Sequence, residues 1–165
     1  MKAARRRAGP FALGVSSNRY DGAMPSLSYL SDHPQEAEPF YDALGRPNFV
    51  SADQAKELLP GWQDRSRRAE LEEQEHGAAS KLAYNLFKQK LARLPEGSDI
   101  TLVTGPVAAG KSTFVQIEEG LTYEVNLSDP AKAEEHINRV LDARMVPHIV
   151  YMYITPELSV IRRAC

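Results

Sequence analysis

Apolar positions follow two different rhythms along this chain. Across residues 64–94 they recur every three or four places, at Leu71, Ala78, Ala79, Leu82, Ala83, Leu86, Phe87, Leu91 and Leu94. Only Glu75 and Lys90 interrupt the stripe, and Arg67, Arg68, Glu72, Glu73, Lys81 and Lys88 lie off it. That spacing predicts one long amphipathic helix. Pro95-Glu96-Gly97-Ser98 is a turn that ends it. Beyond the turn, short apolar runs alternate with helical stretches. Strands are predicted over residues 100–104, 121–127 and 149–154, the last beginning at His148 at the earliest. A helix is predicted over 110–119, ended by Gly120. Asp129-Pro130, an N-cap followed by Pro at the first helical position, opens another to about Arg144. Thr155-Pro156 opens a further helix by the same logic. Alternating strand and helix predicts the α/β class, with helices packed on a parallel sheet.

Upstream, residues 1–50 show no sustained period. Pro10, Pro25, Pro34, Pro39 and Pro47 interrupt helices, so extended or poorly ordered chain is expected. Ser51-Ala52-Asp53-Gln54 has the form of a capping box and predicts a short helix to about Leu59, stopped by Pro60-Gly61. Trp62, beside that stop, reads as an anchor pinning the turn to the core. Three regions follow: an N-terminal region (1–50), a helical lead-in (51–97) and an α/β core (98–165).

Composition narrows the class. The 165 residues are 42% hydrophobic and 25% charged, enough for one domain with a real core. A formal net charge of −2 carries no nucleic-acid footprint. The single cysteine, Cys165, excludes a disulfide framework and makes a reducing cytoplasm the simplest compartment. No apolar run approaches the roughly 20 residues of a membrane helix, so no membrane association is expected.

The candidate chemistry lies between the first strand and its helix. Gly105-Pro106-Val107-Ala108-Ala109-Gly110-Lys111-Ser112 has the form G-x-x-x-x-G-K-[ST]. Four fixed positions arise by chance in roughly one chain in 200 of this length, so the setting matters. Here the setting fits a P-loop. Such a turn points backbone N–H groups into a concavity that fits phosphates, and the helix start adds positive charge. Gly105 and Gly110 allow close backbone approach. Lys111 should reach the β and γ phosphates, Ser112 should hold Mg²⁺, and Thr113 follows at the helix start. ATP or GTP with Mg²⁺ is therefore the expected ligand.

The rest of the site is less marked. Glu124, with Asn126 two residues on, reads equally as a catalytic carboxylate or as an exposed strand residue. Asp129 suits a helix cap better. Arg162 and Arg163 could neutralise a transferring phosphoryl group or lie on a solvated helix end. His76 reads as a surface or packing residue. His33, His136 and His148 lack metal-ligand spacing.

Several segments together resemble the zeta-toxin family of P-loop kinases. They are residues 100–113; Leu121-Thr122-Tyr123-Glu124-Val125-Asn126-Leu127-Ser128-Asp129; and residues 131–154, with Val146-Pro147-His148-Ile149-Val150-Tyr151 continuing to Thr155-Pro156. Residues 51–59 with Arg65, His76, Ala79, Leu82 and Leu86 look like the family's helical lead-in. The resemblance spans about 50–165, and the P-loop is its one specific motif. It implies a P-loop NTPase-type three-layer α/β/α fold and a kinase that phosphorylates a hydroxyl of a small molecule. Zeta toxins act on UDP-N-acetylglucosamine and are restrained by a small antitoxin protein, which would be the partner here. By resemblance, residues 105–112 with Lys111 bind the nucleotide. Glu124 stands where the family has an aspartate that activates the hydroxyl, and Arg162 or Arg163 corresponds to arginines near a lid. The family's five parallel strands and lid also imply that this chain, which reaches only a third strand, is a fragment or a truncated product. The competing readings are a nucleotide-binding module or inactive remnant, and another P-loop ATPase or GTPase. The last predicts an acidic end to a later strand or a Thr-Lys-x-Asp motif, and neither is present.

Overall fold

The structure, a computed structural model, describes residues 24–106, 109–115, 120–153 and 155, with Ser112 and Val115 described by backbone alone. Its elements are α1 (Leu27–Asp32), α2 (Pro34–Asp42), β1 (Phe49–Val50), α3 (Ala52–Lys56), α4 (Arg68–Leu91), β2 (Asp99–Thr104), α5 (Lys111–Val115), β3 (Leu121–Glu124), α6 (Pro130–Asp142) and β4 (Val146–Tyr151).

The strands form one parallel sheet in the order β1-β3-β2-β4. The expected α/β class is therefore observed, with one more strand than the three expected. The extra strand is β1, only two residues long. Phe49 pairs with Thr122 and Val50 with Tyr123. Parallel strands need crossovers, and right-handed crossovers put successive helices on faces set by the direction of travel. β2 to β3 moves one way across the sheet, and β3 to β4 moves back past β2. Phe114 of α5 accordingly packs with Phe49, Val103, Val150 and Met152 on one face. Val140 and Ile137 of α6 pack with Ile100 and Leu102 on the other.

That second face holds the main core. The predicted stripe on α4 buries Leu71, Ala79, Leu82, Ala83, Leu86, Phe87 and Leu91. Phe87 stacks on Tyr123 of β3, with ring centroids 4.5 Å apart and planes 12° from parallel. Lys90, a polar interruption in the stripe, lies between Glu38 and Asp42 at 3.1 and 2.7 Å and ties α2 to α4.

The extended chain expected up to residue 50 is corrected by α1 and α2. The prolines stand where helices tolerate them. Pro25 precedes the Ser26 cap, whose side chain accepts from Tyr29 N, and Pro34 starts α2. Pro39 lies inside α2, but it and Gln35, whose carbonyl it leaves without a helical donor, are both exposed. Leu27, Leu30, Ala37 and Tyr41 are buried in the core shared with α4. Residues 1–23 lie outside the described residues. So does the helix expected after Thr155-Pro156. The third predicted strand also shifts, starting at Val146.

The capping box at Ser51 forms by half. Ser51 Oγ accepts from Gln54 N at 3.0 Å, as expected. Gln54 does not reciprocate; its Nε2 donates to Arg46 O. Tyr41 takes that place instead: Ser51 N donates to Tyr41 Oη at 2.9 Å, and Tyr41 Oη donates to Ser51 O at 3.2 Å. Burial raises the Tyr41 hydroxyl above the usual phenol range, so it stays neutral and able to donate. Tyr41→Phe should orphan the buried Ser51 N–H and cost about 1–3 kcal/mol. Urea unfolding checks this; an unchanged midpoint would show that this bond does not hold the β1–α3 turn.

Candidate functional site

Because all four strands are parallel, their carboxyl ends lie along one edge of the sheet. β2 feeds a helix on one face and β3 a helix on the other. In open α/β sheets, ligands bind where neighbouring loops part in this way. Gly105, Pro106 and residues 109–113 follow β2 at that edge, and Glu124 ends the neighbouring β3.

The loop after β2 needs its glycines. Gly105 has φ +139° and Gly110 φ +92°, where L side chains are disfavoured. A Cβ on Gly105 would overlap the Met152 carbonyl oxygen. That approach is held by Met152 N donating to Thr104 O at 2.8 Å. The end of β4 thus dictates Gly105. Ala109 is buried, and its N donates to Pro106 O at 3.3 Å. Thr113 N and Phe114 N donate to Gly110 O at 3.0 and 3.1 Å, turning the chain into α5. Val107 and Ala108 lie outside the described residues, and so does the side chain of Ser112, on which the Mg²⁺ expectation falls.

Lys111 turns back onto its own loop. Its Nζ donates to Gly105 O at 2.9 Å and to Pro106 O at 2.8 Å. It also pairs with Glu124 Oε1 at 3.3 Å. The structure thereby joins two of the sequence-predicted site residues. Glu124 sits beside Val103 in the sheet register, and its side chain is only 22% exposed. The reading of Glu124 as an exposed strand residue is therefore corrected. Burial pushes its carboxyl above the usual glutamate value, Lys111 pulls it back, Asp53 pushes it up again and Lys56 opposes Asp53.

Other expectations resolve differently. β3 stops at Glu124, short of the expected residue 127. Asn126 belongs to a turn, with its Oδ1 accepting from Ser128 N at 3.0 Å. Asp129 caps α6 through Ala131 N. Arg162 and Arg163 lie outside the described residues. Trp62 is not part of the main core. It is half-buried, with Lys56 Nζ 5.8 Å and Arg68 Cζ 5.6 Å from its ring centroid. Among the described residues no group of three or more His, Cys, Asp or Glu could hold a metal ion, and no helix is long and apolar enough to cross a membrane.

Sequence reasoning missed Asp53 and Lys56 as neighbours of the site. Asp53 was visible only as a capping-box position. Its link to Glu124 depends on β1, and two residues are too short a run to betray a strand. No protein-family model matches the chain, and no curated protein matches it.

The raised Glu124 pKa has a signed consequence. A carboxyl that holds its proton more tightly when folded adds stability below the ordinary glutamate range, and that stability is lost as pH rises through the raised value. Glu124→Gln lacks this contribution. Wild type should lose Tm relative to Glu124→Gln as pH rises from about 4 towards neutrality. A difference in Tm that does not change with pH would refute the burial argument.

Proposed function

We propose that this protein is a nucleotide-dependent kinase of the zeta-toxin type, acting on a hydroxyl of a small molecule. The observation that carries the reading is the Lys111–Glu124 pair. It sets the motif lysine beside a largely buried carboxylate from the neighbouring strand, at the carboxyl edge where the sheet parts. A three-layer fold of the P-loop type is part of the same proposal. Its support is the placement of α5 and α6 on opposite faces and the two left-handed glycines.

The residues present fit a nucleotide. Gly105 and Gly110 present no Cβ at the two ends of the loop, and Lys111 Nζ already sits on oxygen acceptors that phosphate oxygens can replace. ATP or GTP with Mg²⁺ supplies the phosphoryl group and neutralises its charge. The loop 105–112 binds the phosphates, and the Ser112 hydroxyl is the assigned contact to Mg²⁺. Glu124 takes the proton from the acceptor hydroxyl. The hydroxyl oxygen forms its bond to the γ-phosphorus while the bridging P–O bond breaks and the nucleoside diphosphate leaves. A carboxyl raised by burial is better matched to that role near neutral pH than an ordinary glutamate. A UDP-activated amino sugar is the acceptor implied by the resemblance, and a small antitoxin protein its implied partner.

Lys111→Ala should weaken a fluorescent ATP analogue about 10- to 100-fold, the worth of hydrogen bonds to charged oxygens. Retained wild-type affinity would sink the P-loop reading. Glu124→Gln should keep ATP affinity within a few-fold while phosphoryl transfer to a panel of nucleotide sugars falls about 10²- to 10⁴-fold. Unchanged transfer would remove Glu124 from the chemistry and leave nucleotide binding untouched.

A further inference from the structure

β4 is bonded on one side only. Val146 N donates to Ser98 O at 3.0 Å and Met152 N to Thr104 O at 2.8 Å, beside β2. In a parallel ladder, alternate residues turn both backbone groups to the same neighbour. Val146, His148, Val150 and Met152 therefore face β2, while Pro147, Ile149 and Tyr151 turn theirs outward. β4 ends the order β1-β3-β2-β4, and among the described residues no strand pairs with its outer edge. The side chains make this edge apolar. Val150 and Met152 pack with Phe114 on the α5 face, so alternation turns Ile149 and Tyr151 to the α6 face. Ile149 is 53% exposed, Tyr151 64% and Tyr153 72%. Val146 is exposed as well, and so is Leu141 of α6; Tyr29 is the one other exposed large apolar side chain among the described residues. Free edges are ordinarily shielded by charge, proline or a bulge. Residues 145–156 hold no Asp, Glu, Lys or Arg, and Pro147 is the strand's one shielding residue.

We propose that the outer edge of β4 is a homodimer interface, where a second copy of this chain adds its own β4 antiparallel across a two-fold axis at Val150. The inference is independent of the kinase reading. A second copy suits this edge because an uncharged strand meets itself without repulsion, and a net charge of −2 adds little. Two-fold pairing of one strand with itself is also self-complementary and closed. Pro147 selects the register. With the axis at Val150, Ile149 and the partner's Tyr151 exchange both backbone bonds. Pro147, which has no N–H, then lies at the end of the ladder opposite the partner's Tyr153. An axis at Ile149 would set Pro147 opposite Tyr151 and leave a carbonyl unmatched inside the ladder. An axis at Tyr151 would shorten the overlap. The axis at Val150 also sets a β-branched side chain against an aromatic one, a favourable cross-strand pair. The contact is small. The two tyrosines expose on the order of 250 Å² per copy, against about 800 Å² per partner in a standard interface. The dimer is therefore weak and concentration-dependent.

Sedimentation equilibrium between about 1 μM and about 1 mM should show the mass rising from one chain towards two. Tyr151→Pro removes one outward N–H per copy, so the symmetric interface loses two bonds and dimerisation should weaken about 5- to 150-fold. Ile149→Lys sets a charge on each side of the axis and should weaken it at least as much. Tyr29→Ser, on α1, should change nothing. Cysteine linking tests the register without altering the outer edge. In a Cys165→Ser background, Val150→Cys places two Cα atoms about 4.5 Å apart across the axis and should oxidise to a covalent dimer. His148→Cys lies about 13 Å along the strand from its own copy and should not link. A chain that stays monomeric to about 1 mM would overturn the proposal and leave the edge to a cover from within the chain. So would a dimer that both edge variants leave intact, since its interface lies elsewhere. If either edge variant fails to fold, the cysteine pair decides: linkage at 148 as ready as at 150, or none at 150, overturns the proposal. Dimerisation without binding of the ATP analogue would uphold this inference while the kinase reading fails.

Discussion

The parallel direction of the four strands is the constraint on which everything else depends. Parallel neighbours cannot be joined by tight turns, so each connection must cross a face of the sheet. The faces are then covered by helices, and all the carboxyl ends gather at one edge. This brings Ser51 after β1, Gly105 after β2, Glu124 at the end of β3 and Met152 after β4 into one neighbourhood. The order β1-β3-β2-β4 adds the parting of the loops beside β2. A hairpin-built sheet with the same residues would scatter Lys111 and Glu124 to opposite edges.

Packing on the two faces is unequal. One face receives the α4 stripe from Ala78 onward, the α6 residues and the Phe87–Tyr123 stack. Among the described residues, the other carries the smaller cluster around Val103 and Phe49. The large core fixes the sheet, and the small cluster sits directly beneath the loop after β2. Phe49 is the joint between them. It belongs to β1, which is held through Tyr41 and Ser51 to the helices of the large core. The N-terminal segment is therefore structural, since it supplies the strand that carries Asp53 and Lys56 to the site.

Most of the architecture after residue 64 was legible because its signals are local. The α4 stripe, the Asp129-Pro130 cap and the β-branched run before Gly105 each declare themselves within a few residues. The loop motif was legible for the same reason. What was illegible depended on distant partners. The short helices α1 and α2 have no long period and contain prolines, and they form because Leu30 and Tyr41 find α4. β1 exists only as a pair with β3. Trp62 looked like a core anchor because it is large and apolar, yet two cations take its ring. Glu124 was ambiguous because alternation assigns it a face of the strand but cannot say whether that face is covered.

The burial of charge links the loop after β2 to α3 through Glu124. A buried cation is costly unless its partners compensate, and two cations here are largely withdrawn from water. Lys56 is fully buried and Lys111 nearly so. Each has carboxylate partners, and Glu124 feels both. If phosphate oxygens draw Lys111 away, Glu124 loses its nearest cation while burial and Asp53 continue to push its pKa up. Glu124 then holds a proton more readily. The same ion pair that ties Lys111 to the sheet thus also tempers the rise that burial imposes on Glu124.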